Sequence, residues 1–199
     1  MARDRTRIAQ AAARLIAEHG LVDWSLAKRK AAHQLMLPAN AALPGNEEIE
    51  QALAEYHALY GGAAHAACLR AQREAALRWM RRLEAWSPRL VGGVAAGWAG
   101  AHSDIRIELV ADDPKMVEIA LTGDGVDYAA AGPSPEGRRG TRSAELLVET
   151  PAAGIRLSIV TPEERRQRPR DDAPRMTIAA LAALIETPEP GSPDGAPRV

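Results

Sequence analysis

Between Val91 and Leu109 the chain reads VGGVAAGWAGAHSDIRIEL, and this stretch holds the residues best suited to chemistry. Asp104, Arg106 and Glu108 alternate with Ile105, Ile107 and Leu109, a period of two that places the charged side chains on one face of a strand and the apolar ones on the other. Two carboxylates on one face can bind a divalent cation or a guanidinium. Arg106 stands between them, and residues two apart on a strand are separated by about 7 Å, so the simplest account is an ion pair of Arg106 with Asp104 and Glu108. Ten residues earlier, Gly92 and Gly93 mark a glycine-rich turn. His102, Ser103 and Asp104 are adjacent and cannot adopt the geometry of a hydrolytic triad.

A second cluster is basic. Lys28, Arg29 and Lys30 follow one another on a helix, where they form either a phosphate-binding patch or a solvated face. His19, His33, His57 and His65 show no ligand spacing with acids or cysteine, which leaves them surface or helix-terminal residues. Trp79 and Trp86, seven apart, read as packing residues.

The elements that must carry these groups follow from the hydrophobic period. Ile8, Ala11, Ala12, Leu15 and Ile16 make the stripe of a first helix, with Asp4 available as a cap and Gly20 as a stop. Ser25 is the expected cap of a second helix that ends before Pro38. Asn46 is the expected cap of a third, striped by Ile49, Ala52, Leu53, Tyr56 and Leu59 and closed by Gly61 and Gly62. A fourth is expected from about Ala64 to Trp86, closed by Ser87 and Pro88.

Beyond Pro88 the period changes. The pattern predicts strand, strand, helix, strand and hairpin: the 104–109 strand, a helix opening at Pro114, a short strand over 126–130, and ELLVET and IRLSIV joined by a four-residue connection. AGPSPEGRRGTR reads as a loop, EERRQRPRDDAPR as a charged linker, and 177–185 as a last helix. The fold class is therefore α+β, an N-terminal helical bundle followed by a small mixed or antiparallel sheet with helices. The expected domains are 1–88, 89–186 and a disordered tail, 187–199.

Composition agrees. Apolar residues make up 46% and charged residues 26%, the balance of a globular protein. With Phe absent, Leu, Ile, Val and abundant Ala must fill the core. The net charge of -1 conceals an asymmetry: residues 1–90 carry 13 Lys/Arg against 9 Asp/Glu, and residues 91–199 carry 12 against 17. Only the first half has an excess of the charge that nucleic acid attracts. Cys68 alone cannot form an internal disulfide, and no apolar run reaches the length of a membrane span, so the expectation is a cytoplasmic protein without a membrane partner.

Two resemblances bear on function. The opening RIAQAAARLIAEHGLVDWSLAKRKAAHQLML resembles the start of tetracycline-repressor-type regulators, which implies nucleic-acid binding through Lys28, Arg29 and Lys30. It departs from that pattern at Pro38-Ala39-Asn40, where a short turn and recognition helix would stand. The second lies at 91–109, where Val91, Gly92, Gly93, Gly97, Ser103, Asp104, Ile105 and Ile107 resemble the signature of the DNA-polymerase-β-like nucleotidyltransferase superfamily. That resemblance implies nucleotide binding by Gly92, Gly93, Ser103, Asp104 and Arg106. If activity is retained, it implies Mg2+ held by Asp104 and Glu108. Arg106 stands where the family has its second carboxylate, and Arg156 and Ser158 face up from the candidate later strand, so the expected protein is non-catalytic and binds a nucleotide or a protein partner. An active transferase and a DNA-binding regulator are the alternatives. Exposed apolar surface on an Ala-rich helical half is compatible with a homodimer.

Overall fold

The computed structural model describes residues 2–21, 23–38, 40–131, 144–150, 153–167 and 174–187. Eight helices are described: α1 (Ala2–His19), α2 (Trp24–Gln34), α3 (Asn46–Tyr60), α4 (Gly62–Arg82), α5 (Gly93–Ala96), α6 (Pro114–Gly123), α7 (Pro162–Gln167) and α8 (Ile178–Glu186). The strands are β1 (Arg89–Val91), β2 (Ile105–Val110), β3 (Ala129–Ala131), β4 (Ala144–Glu149) and β5 (Gly154–Val160). The chain is thus α+β, and the expected strand, strand, helix, strand and hairpin are present, with α5 between β1 and β2 and α7 after the hairpin as additions. No helix among the described residues is long and apolar enough to cross a membrane.

The helix starts show how local chemistry was redistributed. Asp4 lies inside the first turn of α1 and so complements the helix dipole without capping it. The cap of α2 is Asp23, whose carboxylate accepts from the Leu26 N–H at 3.0 Å, and Ser25 is already helical. Gly45 caps α3, with the Glu48 carboxylate reaching back to accept from the Gly45 N–H at 2.7 Å. Asn46 instead accepts from Lys28 Nζ at 2.7 Å, tying α3 to α2. Only at α2 did a neighbouring side chain, Asp23, take the capping position; at α3 a glycine holds it. Helix α4 stops at Arg82, four residues short of Trp86, and a 3-10 turn, Glu84–Trp86, leads to Ser87 in the left-handed region at φ 46°.

The five strands form one sheet in the order β1-β2-β5-β4-β3. β2 and β5 are parallel and every other pair is antiparallel. The strand expected over 126–130 is shorter, because the Val126 N–H is committed to the Leu121 carbonyl at 2.9 Å in closing α6. The charged linker begins as α7, opened by a reciprocal cap: the Thr161 N–H donates to Glu164 and the Glu164 N–H donates to Thr161 Oγ1. The loop expected over 131–142, residues 168–173 of the expected charged linker and the expected tail lie almost wholly outside the described residues.

Two apolar cores result. Ile8, Ala12, Leu15, Ala27, Ala31, Ile49 and Leu53 bring α1, α2 and α3 together. The apolar sheet face, with Leu90, Ile105, Ile107, Leu109, Ile155 and Leu157, is covered by Leu69, Ala76 and Met80 of α4, Val117 and Leu121 of α6 and Leu181 of α8. Full burial of each such Leu or Ile is worth about 1.5–3 kcal/mol. The change of core falls between α3 and α4, whereas the change of composition falls at Ser87-Pro88. Helix α4 is continuous in sequence with the helices but packs with the sheet.

Candidate functional site: the polar face of the sheet

Strand pairing arranges the other sheet face in two rows. One runs Val91, Arg106, Arg156 and Leu147; the next runs Arg89, Glu108, Ser158 and Glu145. Arg106 and Glu108 therefore share a face as expected, but not an environment: Arg106 is exposed, whereas Glu108 is 3% exposed. Asp104 lies one residue ahead of β2 and its carboxylate packs against Gly154, where a Cβ would come within 2.6 Å of Oδ1.

The expected ion pair of Asp104 with Arg106 is replaced. Arg156 donates from Nε and Nη2 to Oδ2 of Asp104 at 3.2 and 2.9 Å, and its Nη1 lies 3.6 Å from Glu145 Oε1. Parallel pairing of β2 with β5 sets Arg156 directly beside Arg106 and so within reach of both acids. Burial opposes the charge on Arg156, but the Asp104 hydrogen bond and the two carboxylates outweigh it and raise its pKa. Arg106 instead runs along the glycine turn, with Cδ 3.2 Å from the position a Gly92 Cβ would occupy. Gly92, at φ 70°, can hold this turn because it has no side chain.

The remaining motif residues serve the loop itself. A Cβ on Gly93 would stand 2.7 Å from the Trp98 ring, and the Gly93 carbonyl accepts from the N–H groups of Gly97, Trp98 and Ala99. Ser103 Oγ accepts from the Gly100 N–H at 3.1 Å. The structure thus brings Gly92, Asp104 and Arg106 to the polar face, while Gly93 and Ser103 shape the 93–103 segment. That segment carries Trp98 to the helices, where it meets Trp24 at 5.4 Å between ring centroids.

A magnesium pair does not fit these residues. The Asp104 oxygen that would bind a cation accepts two hydrogen bonds from a guanidinium, and Glu108 is buried beyond Arg106. Among the described residues no group of three or more His, Cys, Asp or Glu side chains is placed to hold a metal ion. Sequence reasoning weighed Arg156 only as a missing acid. Its role as the partner of Asp104 depends on strand pairing across 52 residues.

The basic run on α2 is divided. Lys28 is half-buried, and burial lowers its pKa while Glu48 partly restores it; Arg29 and Lys30 are exposed. The first turn of the next helix presents Glu47 and Glu48. His57 and His65, expected at the surface or at helix ends, lie in the last turn of α3 and the first turn of α4, where they are half-buried and stack at 3.8 Å and 6°, with His65 Nε2 3.2 Å from the Gly97 carbonyl. A cavity lined by Ile16, Leu21, Trp24, His57, Trp98 and Ser103 lies alongside.

Comparison with protein-family models, with curated proteins and with solved structures finds no match.

Proposed function

We propose that the protein is a nucleotidyltransferase-like binding protein without two-metal chemistry, which takes a nucleotide on the polar face of its sheet. The observation that carries this reading is the Arg156–Asp104 pair beside the Gly92 turn. A carboxylate already accepting two charge-assisted hydrogen bonds has little left to offer a metal ion. The same face exposes Arg106, whose guanidinium suits the oxygens of a phosphate.

Melting the full chain against a panel of nucleoside mono-, di- and triphosphates, with and without magnesium, tests the reading. A ligand at a hundredfold excess over its Kd adds about 2.7 kcal/mol to stability, which a melting curve resolves easily. The expected result is a rise in Tm that does not require magnesium and shrinks in Arg106→Gln. A panel without any shift sinks the reading. Magnesium-dependent pyrophosphate release that is lost in Asp104→Ala would replace it with an active transferase. Salt-sensitive retention on DNA that weakens when Lys28, Arg29 and Lys30 become Ala would replace it with a nucleic-acid-binding protein.

A further inference from the structure

Where the 93–103 segment meets the helices, it closes over a cavity that lies apart from the polar sheet face. The end of α1 supplies Ile16, Ala17 and Leu21, the start of α2 Trp24, α3 His57, and the segment itself Trp98. Gly20 permits the closure. It follows α1 at φ 61°, and a Cβ there would stand 2.6 Å from the His102 ring. The space is partly open to solvent and measures about 60 Å³. At about 10–15 Å³ for each water it has room for roughly four to six waters, or for one five- or six-membered ring.

The walls decide what kind of ring. Trp24 and Trp98 tilt against each other at 55° with centroids 5.4 Å apart, and Ile16 and Leu21 add apolar surface. Among the described residues that line the space there is no Asp, Glu, Lys or Arg, so nothing there balances a charged guest. Gly100 and Ser103 are already engaged: their carbonyls accept from Gln72 Nε2 at 2.9 and 3.4 Å, and Ser103 Oγ accepts from the Gly100 N–H. The aromatic nitrogens are not. Nε1 of Trp98 and both Nδ1 and Nε2 of His57 are buried without a hydrogen-bond partner. Stacking on His65, itself 3.2 Å from the Gly97 carbonyl, holds the His57 ring in place. Burial, and then His65, lower the pKa of His57, so near neutrality its ring keeps one donor and one acceptor, and Trp98 adds a second donor. Buried polar atoms are seldom left unmatched, and here three belong to two residues of one wall.

We propose that this cavity binds a neutral single-ring aromatic molecule carrying a hydroxyl or a ring N–H, packed against Trp24 and Trp98 and hydrogen-bonded to Trp98 Nε1 and the His57 imidazole. Both nitrogen-bearing side chains border the open space, so small side-chain rotations present their nitrogens to the guest. The guest's donor and acceptor replace hydrogen bonds that the fold by itself leaves unmade. The site is distinct from the polar sheet face, and nucleotide binding there neither requires it nor excludes it.

Phenol and toluene test the site as a pair, since their shapes are nearly equal and only phenol carries the hydroxyl. Phenol is titrated into the 15N-labelled full chain near neutral pH while the indole N–H resonances of the four tryptophans are followed, each assigned by its Trp→Phe variant. The resonances of Trp24 and Trp98 are expected to shift saturably and those of Trp79 and Trp86 to stay in place. Toluene should bind about fivefold more weakly or worse, the value of a lost hydrogen bond. His57→Leu should bring phenol down to about the affinity of toluene. Ala17→Leu puts a larger side chain into the space and should weaken phenol by about tenfold or more. Ala17 is only half-buried, so this variant keeps the test decisive if His57→Leu fails to fold. The absence of a saturable shift up to about 30 mM phenol, the weakest affinity that ordinary ligand efficiency gives a molecule of this size, overturns the site. So does wild-type phenol affinity in Ala17→Leu, toluene that binds as tightly as phenol, or displacement of phenol by benzoate.

Discussion

The two cores are built from different stock. In the helical core Ala9, Ala12, Ala13, Ala27, Ala31, Ala32 and Ala52 are buried around a few large residues, Ile8, Ile49 and Leu53. The sheet core buries Leu90, Ile105, Ile107, Leu109, Leu146, Ile155, Leu157 and Ile159. Alanine lets helices approach closely but removes little apolar surface from water, whereas β-branched and leucine side chains fill the space between a sheet and its helices. The sheet core is therefore the better source of stability, and it also presents the polar face on which the nucleotide proposal rests. The helices depend on it through Trp98, which leaves the 93–103 segment and packs among them.

The largest expected effect tests the weight of the sheet core. Leu157→Ala, fully buried on the central strand, should cost about 2–5 kcal/mol in chemical denaturation. A loss under about 1 kcal/mol would show that the sheet is not the main store of stability. Trp98→Ala addresses the joint between the cores. It should cost about 3 kcal/mol, the low end for a large aromatic, and split one unfolding transition into two, with the helical signal lost first. A single unchanged transition would mean that the cores are coupled elsewhere. Gly93→Ala pushes a methyl group into the Trp98 ring and should cost about 1–3 kcal/mol, the usual result of overpacking.

Smaller effects sharpen the contrast from the helical side. Asp23→Ala removes the only side-chain cap observed on α2 and should cost about 1 kcal/mol, visible as a loss of helical circular dichroism before any change at the sheet. The stacked imidazoles give the weakest and most specific signal. Burial, and secondarily His65, lower the pKa of His57 in the folded chain. Its contribution to stability is thus full above the unfolded value of about 6.5 and is lost as pH falls through the lower folded value. Tm should decline on acidification from pH 7 towards 5, and His57→Gln should flatten that decline. An equal decline in the variant would assign it to other groups.

Much of this molecule can be read along the chain because it depends on neighbours in sequence. The apolar stripes of α1 and α3, the Pro114 start of α6 and the hairpin of β4 and β5 come from spacings of two, three and four residues and from turn chemistry. The polar alternation of Asp104, Arg106 and Glu108 was equally plain. Even the start of α7 carried a readable Thr161-Pro-Glu-Glu164 cap, obscured by the density of charge that follows it. The caps lie at Asp23, two residues before Ser25, and at Gly45, one before Asn46, because both Asp23 and Ser25 are eligible at α2 and because Asn46 accepts from Lys28.

The sequence by itself determined the α+β class, the order of the elements apart from α5 and α7, and the presence of a charged strand behind a glycine turn. Those features rest on local periodicity and on backbone permissiveness. Only the tertiary structure decided which charges meet. Parallel pairing of β2 with β5 delivers Arg156 to Asp104, and the fold-back of α7 brings Arg165 to the Ser87 carbonyl. Electrostatic partners are selected by distances of a few ångströms, and residues 52 or 78 positions apart acquire such distances only when the sheet closes.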